Sequence, residues 1–280
     1  MSMGELISII LPVYNVDSIL FVKSINSVLN QTYDNFELNI IVDFYNEQVN
    51  DELISILDEY GDDKRINSTL YNNRRGLVRC LNEGIIKSKG KYVARLDADD
   101  VCFKDRLEKQ ITKMKTENYQ LCGTWSYLCD LNENIILPQE TPITQNEIRK
   151  SIMLHNPFIH STVMVEKAIF SKVGLYDPRF PYTEDYDLWM RVISMGYSAY
   201  NLPEYLLQQY ITEQSVTRKN WRRNRLYYIK CKYHAYNKYG YNKFIDILGL
   251  LISPLGFLVS PDLEIITKKI LSRLNMKTDI

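Results

Sequence analysis

Tyr92-Val93-Ala94-Arg95-Leu96-Asp97-Ala98-Asp99-Asp100 carries an apolar strand, Tyr92 to Leu96, straight into three carboxylates within four residues. Unpaired carboxylates are costly to bury, so such a cluster at a strand's C-terminal end calls for a cation. If the chain stays extended, Asp97 and Asp99 share a side and Ala98 faces the other. That arrangement suits a hard divalent ion, which takes oxygen ligands and shares them with a substrate phosphate. An acidic turn that caps the next helix accounts for the same residues equally well. The surrounding chain has to decide.

Upstream, strands and helices alternate. Leu6–Val13 reads as a buried strand with Pro12 near its end, Val16–Leu29 as a helix with Asp17 at its start, and Phe36–Val42 as a second strand. Asp51–Tyr60 is a helix stopped by Gly61, Ile66–Tyr71 a strand, Leu77–Lys87 a helix ended by Lys89-Gly90, and Lys104–Lys115 the helix after the acidic cluster. This order implies an α/β fold with a mostly parallel, Rossmann-like sheet covered on both faces. Ligands in such sheets bind beyond the C-terminal strand ends, where Tyr14, Asp43 and Asp97 fall. After Leu121 the rhythm breaks into short strands, loops and helices, among them a strand at Ser161–Val165 and an amphipathic helix at Asp185–Met195 with an acidic start.

The formal net charge of the 280 residues is zero but unevenly spread: Gln214 to Ile280 hold 13 Lys plus Arg against 4 Asp plus Glu, or +9, leaving −9 for the first 213. Two regions are therefore expected, 1–213 as the α/β domain and 214–280 as a basic, apolar helical tail. Five cysteines (Cys80, Cys102, Cys122, Cys129, Cys231) form no C-x-x-C pair, which argues against a zinc framework and for a reducing compartment. Met1–Val13 lacks the basic start and cleavage site of a signal peptide. The most apolar run, Phe244–Val259, is interrupted by Asp246, Pro254 and two glycines and does not read as a membrane span.

Several blocks, in order, resemble family two glycosyltransferases of the GT-A fold. They are Ile9-Ile10-Leu11-Pro12-Val13-Tyr14-Asn15; Gly76-Leu77 with Leu81-Asn82-Glu83-Gly84; Gly90 to Asp100; Arg106-Leu107-Glu108-Lys109-Gln110; Asn156 to Met164; and Glu184-Asp185-Tyr186-Asp187-Leu188-Trp189-Met190-Arg191. Each block is weak evidence, whereas the ordered set from Ile7 to Arg191 is strong. The resemblance implies inverting transfer of a hexose, glucose or galactose first among candidates, from a UDP-sugar with Mn²⁺ or Mg²⁺. It implies Asp97 and Asp99 as metal ligands, Asp100 as a helix cap, and Asp185 as the base that takes the acceptor's proton, its pKa raised by Glu184. It places Pro12, Tyr14, Asn15, Asp43, Arg74 and Gly76 on the nucleotide-sugar side, and His160, Thr162 and Trp189 on the acceptor side. A satisfied structural histidine and a core tryptophan are the plainer readings of His160 and Trp189.

Two departures stand out. A single acid, Asp43, precedes Phe44-Tyr45-Asn46-Glu47-Gln48 where relatives carry two, and Tyr210-Ile211-Thr212-Glu213 lacks their Arg and His, so water, Glu213 or the diphosphate would complete the metal shell and Arg218 could partly substitute. The basic tail fits an anionic membrane face, hence a peripheral protein at the inner face of the cell membrane acting on a lipid-diphosphate-linked sugar, GlcNAc in O-antigen or surface polysaccharide assembly. No nucleic-acid module is present. Alternatives are a non-catalytic sugar-nucleotide binder, another donor (rhamnose, GlcNAc), or a protein or soluble glycan acceptor. A sugar-1-phosphate nucleotidyltransferase is disfavoured, because Pro12-Val13-Tyr14-Asn15 offers no glycine-rich phosphate loop.

Overall fold

The computed structural model describes residues 4–43, 51–211 and 220–258. One mixed sheet of nine strands organises it. β1 (Ile7–Val13), β2 (Phe36–Val42), β3 (Ile66–Leu70) and β4 (Tyr92–Arg95) form a parallel half in the order β3-β2-β1-β4. The sheet continues through β8 (Met164–Glu166), antiparallel to β4, then β6 (Leu121–Cys129), β9 (Ala199–Tyr210) and β5 (Val101–Cys102), with β7 (Ile135–Gln139) as a hairpin partner of β6.

β1 and β2 are buried at every residue, as expected of parallel strands covered on both faces. Alternate side chains serve different cores. Ile7, Ile9, Leu11 and Val13 face a cluster with α1 (Ser18–Leu29), α2 (Asp51–Glu59) and α4 (Arg106–Glu117); Ile10 and Val93 face a second cluster with α3 (Leu77–Lys87), α5 (Gln145–Ser151), α6 (Phe170–Val173) and α7 (Glu184–Ser194). Asp17 caps α1 by accepting the Leu20 amide.

The expected elements up to α4 are present within two residues at either end. The second half differs more. The short strands expected after Leu121 are instead the two longest strands, β6 and β9, paired in parallel at the sheet's other centre. Pro203 inside β9 obscured it; the residue lies where the β6–β9 register shifts, a position that needs no amide donor. The strand expected at Ser161–Val165 begins at Met164, because His160–Thr162 turns as a short 3₁₀ segment.

The basic region does not hang off the domain. Helix Trp221–Lys238 and helix Phe244–Ile252 follow β9, and Cys231, Ala235 and Tyr241 belong to the second core. Tyr241 donates to the Met190 carbonyl at 2.8 Å and Tyr239 to Asp187 at 3.0 Å. The boundary at 213/214 therefore separates compositions, not cores. Glu213, Arg218 and the basic helix expected at Leu263–Leu274 lie outside the described residues. Among the described residues, no helix is long and apolar enough to cross a membrane.

One buried amide ties the halves together. Gln110 of α4 donates to the carbonyls of Cys122 at 2.7 Å and Thr162 at 2.8 Å, and accepts from Arg106. Gln110→Leu keeps the volume but strands both carbonyls. It should lower unfolding free energy by about 2–4 kcal/mol in urea titration; a loss within error of zero would show the clamp to be dispensable.

Candidate active site

The chain leaves β4 through Leu96 and turns back on itself, the Asp100 amide donating to the Asp97 carbonyl at 3.2 Å. The extended arrangement expected of Asp97-Ala98-Asp99 is thus replaced by a turn, and the carboxylates are gathered by the loop. Asp97 and Asp99 are half-buried and Asp100 is buried. Asp100 does not cap a helix as expected: β5 follows it directly, and α4 starts at Arg106. Instead Ser161 hydrogen-bonds the Asp100 carboxylate, while its hydroxyl oxygen accepts the Asp97 amide at 2.9 Å. Ser24 fixes the same loop by donating to the Asp97 carbonyl at 3.1 Å.

Arg95 is the group on which these acids converge. Its side chain is almost fully buried and pairs with Asp97, while Nε and Nη1 have no hydrogen-bond partner among the described residues. Arg106, also buried, holds the strand end by donating to the Arg95 carbonyl at 2.9 Å. The Arg95 charge acts on Asp99 and Asp100 on one side and on Glu184 and Asp185 on the other. The two acidic clusters, far apart in sequence, are both held by one short segment: Asn156 hydrogen-bonds Asp185, and Ser161 accepts the Asp97 amide.

One cation does not neutralise the loop. Burial, then the charge of Asp97, pushes Asp99 up to about 6. Burial drives Asp100 well above the carboxylate range, with Asp97 and Asp99 adding to it, and its Oδ2 has no partner among the described residues. Asp97 and Asp99 offer oxygens of the kind a divalent ion takes, although no group of three or more His, Cys, Asp or Glu side chains placed to hold a metal ion occurs among the described residues.

Glu184 and Asp185 open α7. Asn156 donates to Asp185 Oδ2 at 2.7 Å. Burial raises both carboxyls. Glu184 rises to about 7 because Asp185 faces it, whereas Asp185 is relieved by the Tyr186 amide and by Asn156. The rise expected for Asp185 is present, but its first cause is burial and not the charge of Glu184. Asp187 is a structural acid, paired with Arg191 at 2.8 Å and fully buried.

On the acceptor side, His160 is half-buried and bonds Tyr176 Oη through Nε2 at 2.9 Å. Burial and the Arg95 charge hold it well below the usual histidine range, so it is neutral. Trp189 is fully buried with its edge toward His160 and Phe158. Both match the plainer readings made from sequence. Thr162 is fully buried, donating to the Ile159 carbonyl at 2.8 Å and accepting the Thr124 amide at 3.1 Å.

On the nucleotide side, Pro12 is buried in β1 opposite Ile41. Tyr14 is 48% exposed, with the Arg74 guanidinium 4.6 Å from its ring centre. Asn15 takes a positive φ of 49° to turn the chain after β1. Asp43 is buried, and its two oxygens accept the amides of Arg75 at 2.6 Å and Gly76 at 3.0 Å. Gly76 (φ 83°) is the N-cap of α3, so Asp43 anchors that helix start to β2. Phe44–Gln48, Thr212 and Glu213 lie outside the described residues. Roles for Arg95, Ser161 and Asn156 were not anticipated. An arginine inside an otherwise apolar strand, two residues before the acids, was the available signal.

Comparison with known proteins agrees with this geometry. The family model described as "Glycosyl transferase family 2" matches residues 8–177, covering the strand ends and the acidic loop and stopping before Glu184. An uncharacterized glycosyltransferase, MJ1057 of Methanocaldococcus jannaschii, is 32% identical over 83% of this chain and 80% of its own length. The O-antigen biosynthesis glycosyltransferase WbnJ of Escherichia coli is 35% identical over 68% of this chain and 72% of its own. Among solved structures, residues 1–349 of S. aureus TarS bound to UDP superpose with a TM-score of 0.60 at 16% identity, over 81% of this chain but only 65% of that one. The mannosyltransferase PcManGT of Pyrobaculum calidifontis, with GDP-Man and Mn2+, gives a TM-score of 0.64 at 13% identity over 89% and 73%. An acidic loop at the end of a parallel strand, a GT-A architecture around it and a family match over most of the chain lead to one assignment: the chain belongs to glycosyl transferase family 2.

Proposed function

We propose that this transferase moves a hexose, glucose or galactose, from a UDP-sugar to a hydroxyl of a lipid-diphosphate-linked sugar, GlcNAc first, with inversion, at the cytoplasmic face of the membrane during surface polysaccharide assembly. The observation that carries the reading is that the segment from Asn156 to Ser161 holds both acidic clusters, Asp185 through Asn156 and the Asp97–Asp100 loop through Ser161. The O-antigen role named for WbnJ supports the polysaccharide context, and UDP in TarS supports the donor class.

In this reading Tyr14 and Arg74 frame the base at an open edge, and the Asp43-anchored start of α3 bounds the donor side. Asp97 and Asp99 would hold Mn²⁺ or Mg²⁺, which supplies Lewis-acid stabilisation of the departing diphosphate. Arg95 orients Asp97 through their ion pair. Asp185, aimed by Asn156, takes the acceptor hydroxyl's proton as the new bond forms. His160, half-buried and held by Tyr176, stands on the acceptor side as a neutral ring and keeps a second positive charge away from the base.

Three outcomes follow. Asp185→Asn should cut acceptor-dependent UDP release by about 10²–10⁴-fold while donor affinity stays within a few-fold, measured by coupled UDP assay and calorimetry; unchanged turnover would leave a sugar-nucleotide binder. Chelation should abolish turnover and Mn²⁺ or Mg²⁺ restore it, and Asp99→Asn should not be rescued by the same ion concentration. The base works deprotonated, and burial raises the Asp185 carboxyl, so kcat/KM should fall on an acid limb lying above the ordinary aspartate range. Glu184→Gln removes the neighbouring group that titrates near 7 and should leave that limb in place; a limb lost with Glu184 would make Glu184, not Asp185, the base.

A further inference from the structure

Helix Phe244–Ile252 is docked the wrong way round for a water-facing helix. Its buried residues are Asp246 and Gly249. Asp246 accepts both ends of the Arg149 guanidinium, at 2.9 and 3.1 Å. Gly249 rests on the chain at Met153 so closely that an added Cβ would stand 2.2 Å from that carbonyl oxygen. Lys232, buried in the neighbouring helix, fastens the far end through the Leu154 carbonyl at 2.9 Å and Ser253 Oγ at 2.8 Å. These polar pins turn the apolar side outward: Phe244 is 81% exposed, Leu251 70% and Leu255 60%, with Ile247, Leu248 and Ile252 exposed between them. A soluble surface helix has the opposite pattern, and a contiguous apolar patch of this kind marks a contact surface.

The charge around the patch selects the partner. Residues 220–258 contain seven Lys and Arg and one acid, Asp246, which is buried in its ion pair. Every solvent-facing formal charge there is positive, including Lys243 at the helix start and Arg222 and Arg223 on the adjacent helix; Arg225 runs alongside Gly256. A second copy meeting this face about a two-fold axis would set these cations against themselves. Exposed Tyr233 and Tyr236 add side chains that favour a lipid–water boundary. We propose that Phe244, Ile247, Leu248, Leu251, Ile252 and Leu255 seat the protein on an anionic lipid bilayer, with the flanking cations meeting its headgroups. The same basic helix reaches the catalytic end, where Arg223 lies 3.4 Å from Tyr182 Oη and Tyr228 packs on Tyr186, so docking brings the bilayer's lipid-linked sugars to the side of Asp185. This last point rests on the proposed acceptor, whereas the docking itself does not.

The full chain should float with phosphatidylglycerol vesicles, release at high salt and ignore phosphatidylcholine vesicles. The double variant Leu251→Glu, Leu255→Glu should bind at least about tenfold more weakly, with unchanged melting temperature and unchanged turnover on a detergent-dispersed acceptor. Phe244→Trp, a mild change on the exposed side, should show a blue-shifted emission only with anionic vesicles, which tests the surface even if the double variant misfolds. Absence of anionic-vesicle binding by the unmodified chain, equal binding by a folded double variant, no Phe244→Trp shift, or a dimer that the double variant splits would each overturn the proposal. Vesicle binding without UDP release from any donor would leave docking standing and sink the transfer reading instead.

Discussion

A buried guanidinium surrounded by more acid than it can neutralise is the constraint on which this site depends. Arg95 leaves water on the end of β4, and its desolvation is offset only because Asp97 pairs with it and the other carboxylates lie within reach. Removing one partner of a buried pair costs roughly 3–5 kcal/mol, because the survivor is left uncompensated. Arg95, Arg106 and Gln110 therefore form a stack in which each donor holds the next element: Arg106 the end of β4, Gln110 the Thr162 turn, and that turn, through Ser161, the acidic loop. The acids left unpaired by Arg95 are the feature on which the proposed donor side rests.

The second half of the chain supplies the proposed base and the elements that hold it. α7 is anchored by its own buried ion pair, Asp187 with Arg191, and by Tyr239 and Tyr241 from the basic helical region. That region is part of the core that positions Asp185, although its composition suggests an appendage. Its cations and aromatic residues do two jobs: some, such as Lys232, satisfy backbone carbonyls inside the fold, and others remain in solvent.

The parallel half was legible because its strands are continuous apolar runs and its helices have capped, periodic faces; Phe36–Val42 and Leu77–Lys87 appear with the bounds read from sequence. The long strands β6 and β9 were not, since Gly123, Thr124 and Ser126 dilute one and Pro203, Gln208 and Gln209 the other. Burial of those polar groups is decided by partners such as Ser126 with Gln209, which only the folded chain reveals. For the site, residue types at strand ends identified the carboxylates. They did not reveal that Asp97–Asp100 turns instead of running straight, that Thr162 is spent on its own turn, or that Asn156 holds Asp185. Each depends on a hydrogen bond or a facing charge contributed from elsewhere in the chain.

The alternation of β1, with odd-numbered side chains in one core and Ile10 in the other, has an evolutionary corollary. Substitutions beneath α1 and α2 reach the opposite layer through strand backbones, which hydrogen bonding keeps in register, while α4 also reaches it through Gln110 and the Thr162 turn. The helix bearing Asp185 can thus be remodelled by drift while the acidic loop keeps its geometry. A lineage built on this sheet can exchange the molecule it decorates without relearning how to grip the molecule it spends.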